Sequence, residues 1–102
     1  MDGAEPKVVH NVARARFELT LNGQTAHLDY QLAGDRFRMV HIEVPPRLRG
    51  HKYSEELTRA GLEYAQSKHL RVVPICPAVR SFLSHHPEYV PLVDEHWRGT
   101  LK

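Results

Sequence analysis

Several scarcities bound what this chain can be. Cysteine occurs once, as Cys76. No disulfide can close within the chain, which fits a reducing compartment, and a cytoplasmic location is expected. No apolar run approaches bilayer-spanning length, so no membrane partner is expected. The polar start Met1-Asp2-Gly3-Ala4-Glu5 does not read as a signal peptide. Charge of one sign is not in excess: 14 Lys and Arg against 12 Asp and Glu leave +2, too little to imply nucleic acid without a clustered patch. Internal repeats and low-complexity segments are lacking. The eight histidines are scattered without zinc-ligand spacing, and adjacent His85-His86 do not share a helix face. No metal is expected.

What is present is the composition of one globular domain with a single modest core: 102 residues, 41% hydrophobic and 25% charged. Residues 1–6 read as a tail, and Lys7 to His10 as a short edge strand. Arg16 to Leu21 alternates, with Phe17, Leu19 and Leu21 on one face. Asn22-Gly23 supplies the positive φ angles of a tight hairpin turn. Ala26, Leu28, Tyr30 and Leu32 alternate next, and Gly34-Asp35 makes a second turn. Phe37 to Val44 is a third strand, apolar on both faces as at a sheet centre. The period then changes. Leu57, Ala60, Gly61, Tyr64 and Ala65 recur at helical spacing, with Tyr53, Leu57 and Tyr64 expected in the core. Leu70 to Cys76 is a short strand, Pro77 starts a helix over Ala78 to Ser84, and His86-Pro87 ends it. Around Tyr89 to Val93 one more turn is expected, then a polar tail over 94–102 carrying Trp97. The fold class is α+β: an antiparallel meander followed by a parallel β-α-β crossover.

The most informative segment is Val44-Pro45-Pro46-Arg47-Leu48-Arg49-Gly50-His51-Lys52-Tyr53-Ser54. A strand pattern ends, a basic turn with glycine follows, and a helical pattern begins. Helix-start N–H groups and the helix dipole form an anion site there, suited to a phosphate or pyrophosphate. The plainer reading is a surface turn with a basic rim, its helix start completed by Ser54, Glu55 and Glu56.

The order strand, "VPPRLRG", helix, short strand, "ICPAV", then "HPEYVPLV" resembles the small Gcn5-related N-acetyltransferases (GNAT) of about a hundred residues. The resemblance runs from about Lys7 to Val93, and "HIEVPPRLRG" with the single cysteine after the fifth strand carries it most specifically. It implies a GNAT-like mixed sheet whose central strand splays from its parallel neighbour, opening a cleft for the pantetheine arm. It also implies acetyl-CoA as cosubstrate, with the pyrophosphate held by Val44, Arg49, Gly50, His51, Lys52, Tyr53 and Ser54. The family motif Gln/Arg-x-x-Gly-x-Gly/Ala reads here Arg49-Gly50-His51-Lys52-Tyr53-Ser54. Lys52 stands where glycine is usual. Its side chain could block close backbone approach or add a cation beside the phosphates.

Amine acetylation needs a group to take the amine proton. Strict alternation puts Met39, His41 and Glu43 on one strand face, so Glu43 is the candidate base and His41 a relay. Cys76, between a strand end and a helix start, is expected to be a partly exposed thiol with thiolate character; the resemblance places the matching cysteine at the active cleft. By the same resemblance Tyr89 is a candidate acid for the CoA thiolate, with packing as its plainer role. The function expected is acetyl transfer from acetyl-CoA to a small-molecule or protein amine. The alternative is a CoA-binding or protein-interaction module without turnover. A nucleic-acid binder built on Arg14, Arg16, Arg36 and Arg38 is disfavoured, because no aromatic–basic interleaving accompanies them. Monomer and dimer are both compatible with the sequence.

Overall fold

Four strands, β1 (Val9–Asn11), β2 (Arg16–Leu21), β3 (Gln24–Ala33) and β4 (Arg36–Glu43), form an antiparallel meander in the computed structural model, which describes residues 7–101. The expected tail over residues 1–6 lies outside the described residues. Asn22 and Gly23 take φ of 52° and 76°, the two positive values that a tight β2–β3 hairpin needs. A helix, α1 (Tyr53–Ser67), then crosses to β5 (Arg71–Pro74), which pairs parallel to β4. The sheet order is β1-β2-β3-β4-β5. The chain closes with α2 (Pro77–His85) and two 3-10 helices, Pro87–Leu92 and Glu95–Leu101.

One sheet face carries the core. Phe17, Leu19, Ala26, Leu28, Tyr30, Phe37 and Met39 are buried there and pack with Leu57, Leu62 and Ala65 of α1. Each such fully buried Leu or Phe contributes about 1.5–3 kcal/mol. The helix comes very close at Gly61: a Cβ there would lie 2.8 Å from Met39 Cε and 3.1 Å from Leu28 Cδ2.

The central strand departs from expectation. Tyr30 pairs with Met39 but Asp29 pairs with His41, so Val40 is an extra residue, a β-bulge. Alternation is reset across it. Phe37 and Met39 face the core, whereas His41 and Glu43 point to the opposite, exposed face. Met39 therefore does not share a face with His41 and Glu43. Nor is β4 covered on both sides: its outer face is open at Arg38, His41 and Glu43.

Residues 94–101, expected as a tail, are packed instead. Asp94 is buried, its N–H donates to Val72 O at 2.8 Å, and its carboxylate pairs with Arg36 Nε at 3.1 Å. The His96 backbone N–H, bonded to Oδ1 at 2.9 Å, is the main cause that holds this carboxyl below its usual range; burial opposes, and the His96 ring and Arg36 add to the lowering. Trp97 and Leu101 then lie against the core.

The edge strand β1 is held by one ring. His10 stacks on Phe17 at 4.2 Å, meets the edge of Tyr64 at 4.6 Å, and shares a hydrogen bond through Nε2 with the Tyr30 hydroxyl. Burial holds His10 below its ordinary value near 6.5, so the fold favours the neutral ring. That contribution is complete above about pH 6.5 and is lost as pH falls through the lowered value. Acidification is therefore expected to lower the amide protection factors of Val9 to Asn11 before those of the rest of the sheet, and His10→Gln to remove most of that pH dependence.

Candidate active site

The β4–α1 connection is built from its backbone outward. After Val44 and Pro45 a 3-10 turn, Pro46–Leu48, buries Leu48 as an anchor. The Arg49 Nε donates back to Val44 O at 3.0 Å and ties the turn to the end of β4. Gly50 has φ of 86°, and Lys52 sits at φ 63°, ψ 24°, directly before α1. The position where glycine was expected thus keeps a glycine-like backbone while carrying lysine. A left-handed non-glycine residue costs about 1–2 kcal/mol. Lys52→Gly is therefore expected to raise stability by about 1 kcal/mol, read from the denaturation midpoint; an unchanged or lower midpoint would mean the turn is not strained there.

Lys52 makes no side-chain cap at this helix start, while Glu55 and Glu56 stand in its first turn. The first intrahelical bond runs from Glu56 N–H to Lys52 O at 3.1 Å, which leaves the N–H groups of the preceding turn open. Among the described residues, no carboxylate pairs with Arg47, Arg49 or Lys52. The contrast with the meander is sharp. Arg16 pairs with Asp29 at 3.1 Å, Arg36 with Asp94, and Arg38 donates to Gln31 at 3.0 Å. Arg16 and Arg36 are thus charge-compensated, whereas Arg38 meets only a neutral amide, and Arg47, Arg49 and Lys52 meet no carboxylate among the described residues.

Beside the turn the sheet opens. Pairing of β4 with β5 runs from Arg36↔Arg71 to Met39↔Pro74, with a last bond from Cys76 N–H to Met39 O at 3.0 Å. From Val40 to Glu43 the β5 side of β4 has no strand partner among the described residues. The bulge in β4 falls where this pairing ends, and β5 stops at Pro74 and turns into α2. Arg80 secures that departure by donating to Pro74 O at 3.0 Å and Ile75 O at 2.6 Å. A cavity of about 400 Å³ lies between α1 and α2, lined by Ser54, Glu55, Thr58, Ser81, Phe82 and His86 among others.

The candidate side chains divide around this opening. His41 Nε2 and Glu43 Oε1 are 3.1 Å apart on the outer face, each about half exposed. Cys76 corrects expectation: it is buried, 5% exposed, and packs in the core cluster with Val79 and Leu83. Its N–H continues the strand pairing to Met39 O, directly before α2 begins. The Tyr89 hydroxyl accepts from Arg59 at 3.1 Å, and Arg59 lies over the Phe82 and Tyr89 rings. Among the described residues no group of three or more His, Cys, Asp or Glu is placed to hold a metal ion, and no helix is long and apolar enough to cross a membrane.

A model of the GCN5-related N-acetyl-transferase family matches residues 16–92. The chain belongs to this family. It carries an acetyltransferase domain, on an α+β fold with a five-stranded mixed sheet, and the matched span runs from β2 through the first of the closing 3-10 helices.

Within this GCN5-related domain, the α1–α2 cavity is what sequence reasoning missed. Ser54, at the end of the turn, is the one expected binding residue that lines it. The signal was a helical spacing of Ala78, Ser81, Phe82 and His85 on α2, which line the cavity with Ser54 and Thr58 of α1. The two histidines do come together. His86 lies just past α2, with φ of −133°, so it leaves the helical path and lines the same cavity as His85. Each bonds through Nδ1 to the carbonyl four residues earlier, Ser81 O and Phe82 O, both at 2.9 Å.

Proposed function

We propose that this protein transfers an acetyl group from acetyl-CoA to an amine acceptor. The observation that carries the reading is one juxtaposition. The unpaired edge of β4 over Val40 to Glu43 begins beside a basic turn whose cations lack carboxylate partners and whose helix start is uncapped. A free strand edge offers hydrogen bonds to the amides of a pantetheine arm. An uncapped helix start with surplus positive charge suits a pyrophosphate. In this reading Arg49, Gly50, His51, Lys52, Tyr53 and Ser54 form the phosphate turn, and Val44 anchors it to β4.

The acceptor approaches from the outer sheet face. Glu43 takes its proton and His41 orients the Glu43 carboxylate through Nε2–H. The buried position of Cys76 supports direct attack on the thioester rather than an acetyl-cysteine intermediate, because a nucleophile must reach its carbonyl. The test is thiol release from acetyl-CoA with a mixture of charged amines: a lysine peptide, a peptide with a free N-terminus, and spermidine. Amine-dependent release is expected. Acetyl-CoA binding without release would reduce the protein to a binding module.

A further inference from the structure

Because Val40 is the extra residue, His41 and Glu43 emerge on the outer face directly across from β3 residues: Asp29 pairs with His41, and His27 with Glu43. Two histidine–carboxylate pairs therefore stand side by side. One is His41 Nε2–Glu43 Oε1 at 3.1 Å, the other His27 Nδ1–Asp29 Oδ1 at 3.0 Å, with the two rings 6.4 Å apart. The second pair is the better held. The His27 side chain is 19% exposed against 55% for His41, and Asp29 Oδ1 also accepts from Arg16 Nε at 3.1 Å. A carboxylate only accepts hydrogen bonds, so neutral His27 carries its proton on Nδ1 and presents an unprotonated Nε2.

We infer that His27, oriented by Asp29 and Arg16, is a positioning residue that serves Glu43 as a second proton station. The inference rests on the acetyl-transfer reading. His27 and Glu43 are directly opposed across the two strands, where Cβ atoms lie about 4.5–5.5 Å apart, and in this inference one water is the bridge between the Glu43 carboxylate and the His27 ring. A charged amine first gives one proton to Glu43. Its nitrogen lone pair then forms the C–N bond, the C–S bond breaks with its electron pair on sulfur, and a second N–H proton ends on that sulfur as the CoA thiol. Glu43 passes the first proton through the water to His27 Nε2 and on to solvent, which restores the carboxylate. Ammonium and acetyl-CoA thus yield amide, CoA thiol and one released proton.

Two measurements test this together. Ring ¹H–¹⁵N correlations of histidine-labelled protein should show neutral His27 as the Nδ1–H tautomer, lost in Asp29→Ala. Turnover of the charged-amine mixture should fall about 10-fold or more in His27→Gln with KM for acetyl-CoA unchanged, whereas turnover of hydroxylamine, largely uncharged at neutral pH, should be spared. A wild-type His27 in the Nε2–H tautomer overturns the inference, as does an active wild type matched by His27→Gln. A wild type silent with every amine removes the acetyl-transfer reading and this inference with it, an outcome distinct from the first two.

Discussion

Glu43→Gln is expected to lower amine-dependent acetyl transfer by about 10²–10⁴-fold while acetyl-CoA affinity stays as in the wild type. Glutamine keeps the size of the side chain and the acceptor oxygen that meets His41 Nε2, so the 3.1 Å contact survives. What it loses is the capacity to take a proton. The site is exposed, so no buried group is left unpaired and the fold should be unaffected. Steady-state rates of thiol release and a calorimetric titration of the same preparation separate the two effects. A variant with wild-type turnover would place the base elsewhere. A variant that no longer binds acetyl-CoA would make Glu43 part of the binding surface.

The largest effect on stability is expected at Gly61, where α1 meets the sheet. A valine there must displace Met39 Cε and Leu28 Cδ2, and both side chains are fully buried. Overpacking a closed core costs about 1–3 kcal/mol. With about 4–8 °C of Tm per kcal/mol for a domain of this size, Gly61→Val should melt roughly 4–24 °C lower. Gly61→Ala is the control. Its gain in helix propensity, about 1 kcal/mol, offsets the smaller shift asked of Met39, so its Tm should stay near wild type. A valine variant that melts at or above wild type would mean that α1 does not approach the sheet this closely.

Much of this architecture is legible in local chemistry. Asn22-Gly23 announces the hairpin because few residue pairs accept two positive φ angles. The spacing of Leu57, Gly61 and Ala65 marks the buried stripe of α1, and Pro77 marks the start of α2. The bulge at Val40 is different. Met39 and Val40 are both apolar, so nothing in the pattern says whether alternation continues through them or resets. That single ambiguity decides which face His41 and Glu43 occupy. Burial of Cys76 is likewise a tertiary outcome: a residue between strand and helix reads as accessible until the core cluster that also holds Met39, Val79 and Leu83 assembles around it. The α1–α2 cavity depends on two helices that are distant in sequence. The anchoring of residues 94–101 turns on Asp94 reaching Arg36 across 58 residues, which no local signal records. Lys52 shows the opposite limit. A departure from the expected glycine is visible at once, yet only the structure shows that the backbone keeps the glycine conformation regardless.

Titration with acetyl-CoA, followed by calorimetry and by amide shifts on the same labelled protein, tests the central claim most directly. The account predicts saturable binding that weakens as salt rises, since the turn's uncompensated cations supply part of the attraction. The shifts should concentrate from Val40 through Glu55 and around the β5–α2 junction at Ile75 to Ala78. Absence of binding, or shifts confined to the arginines of the meander, would contradict it.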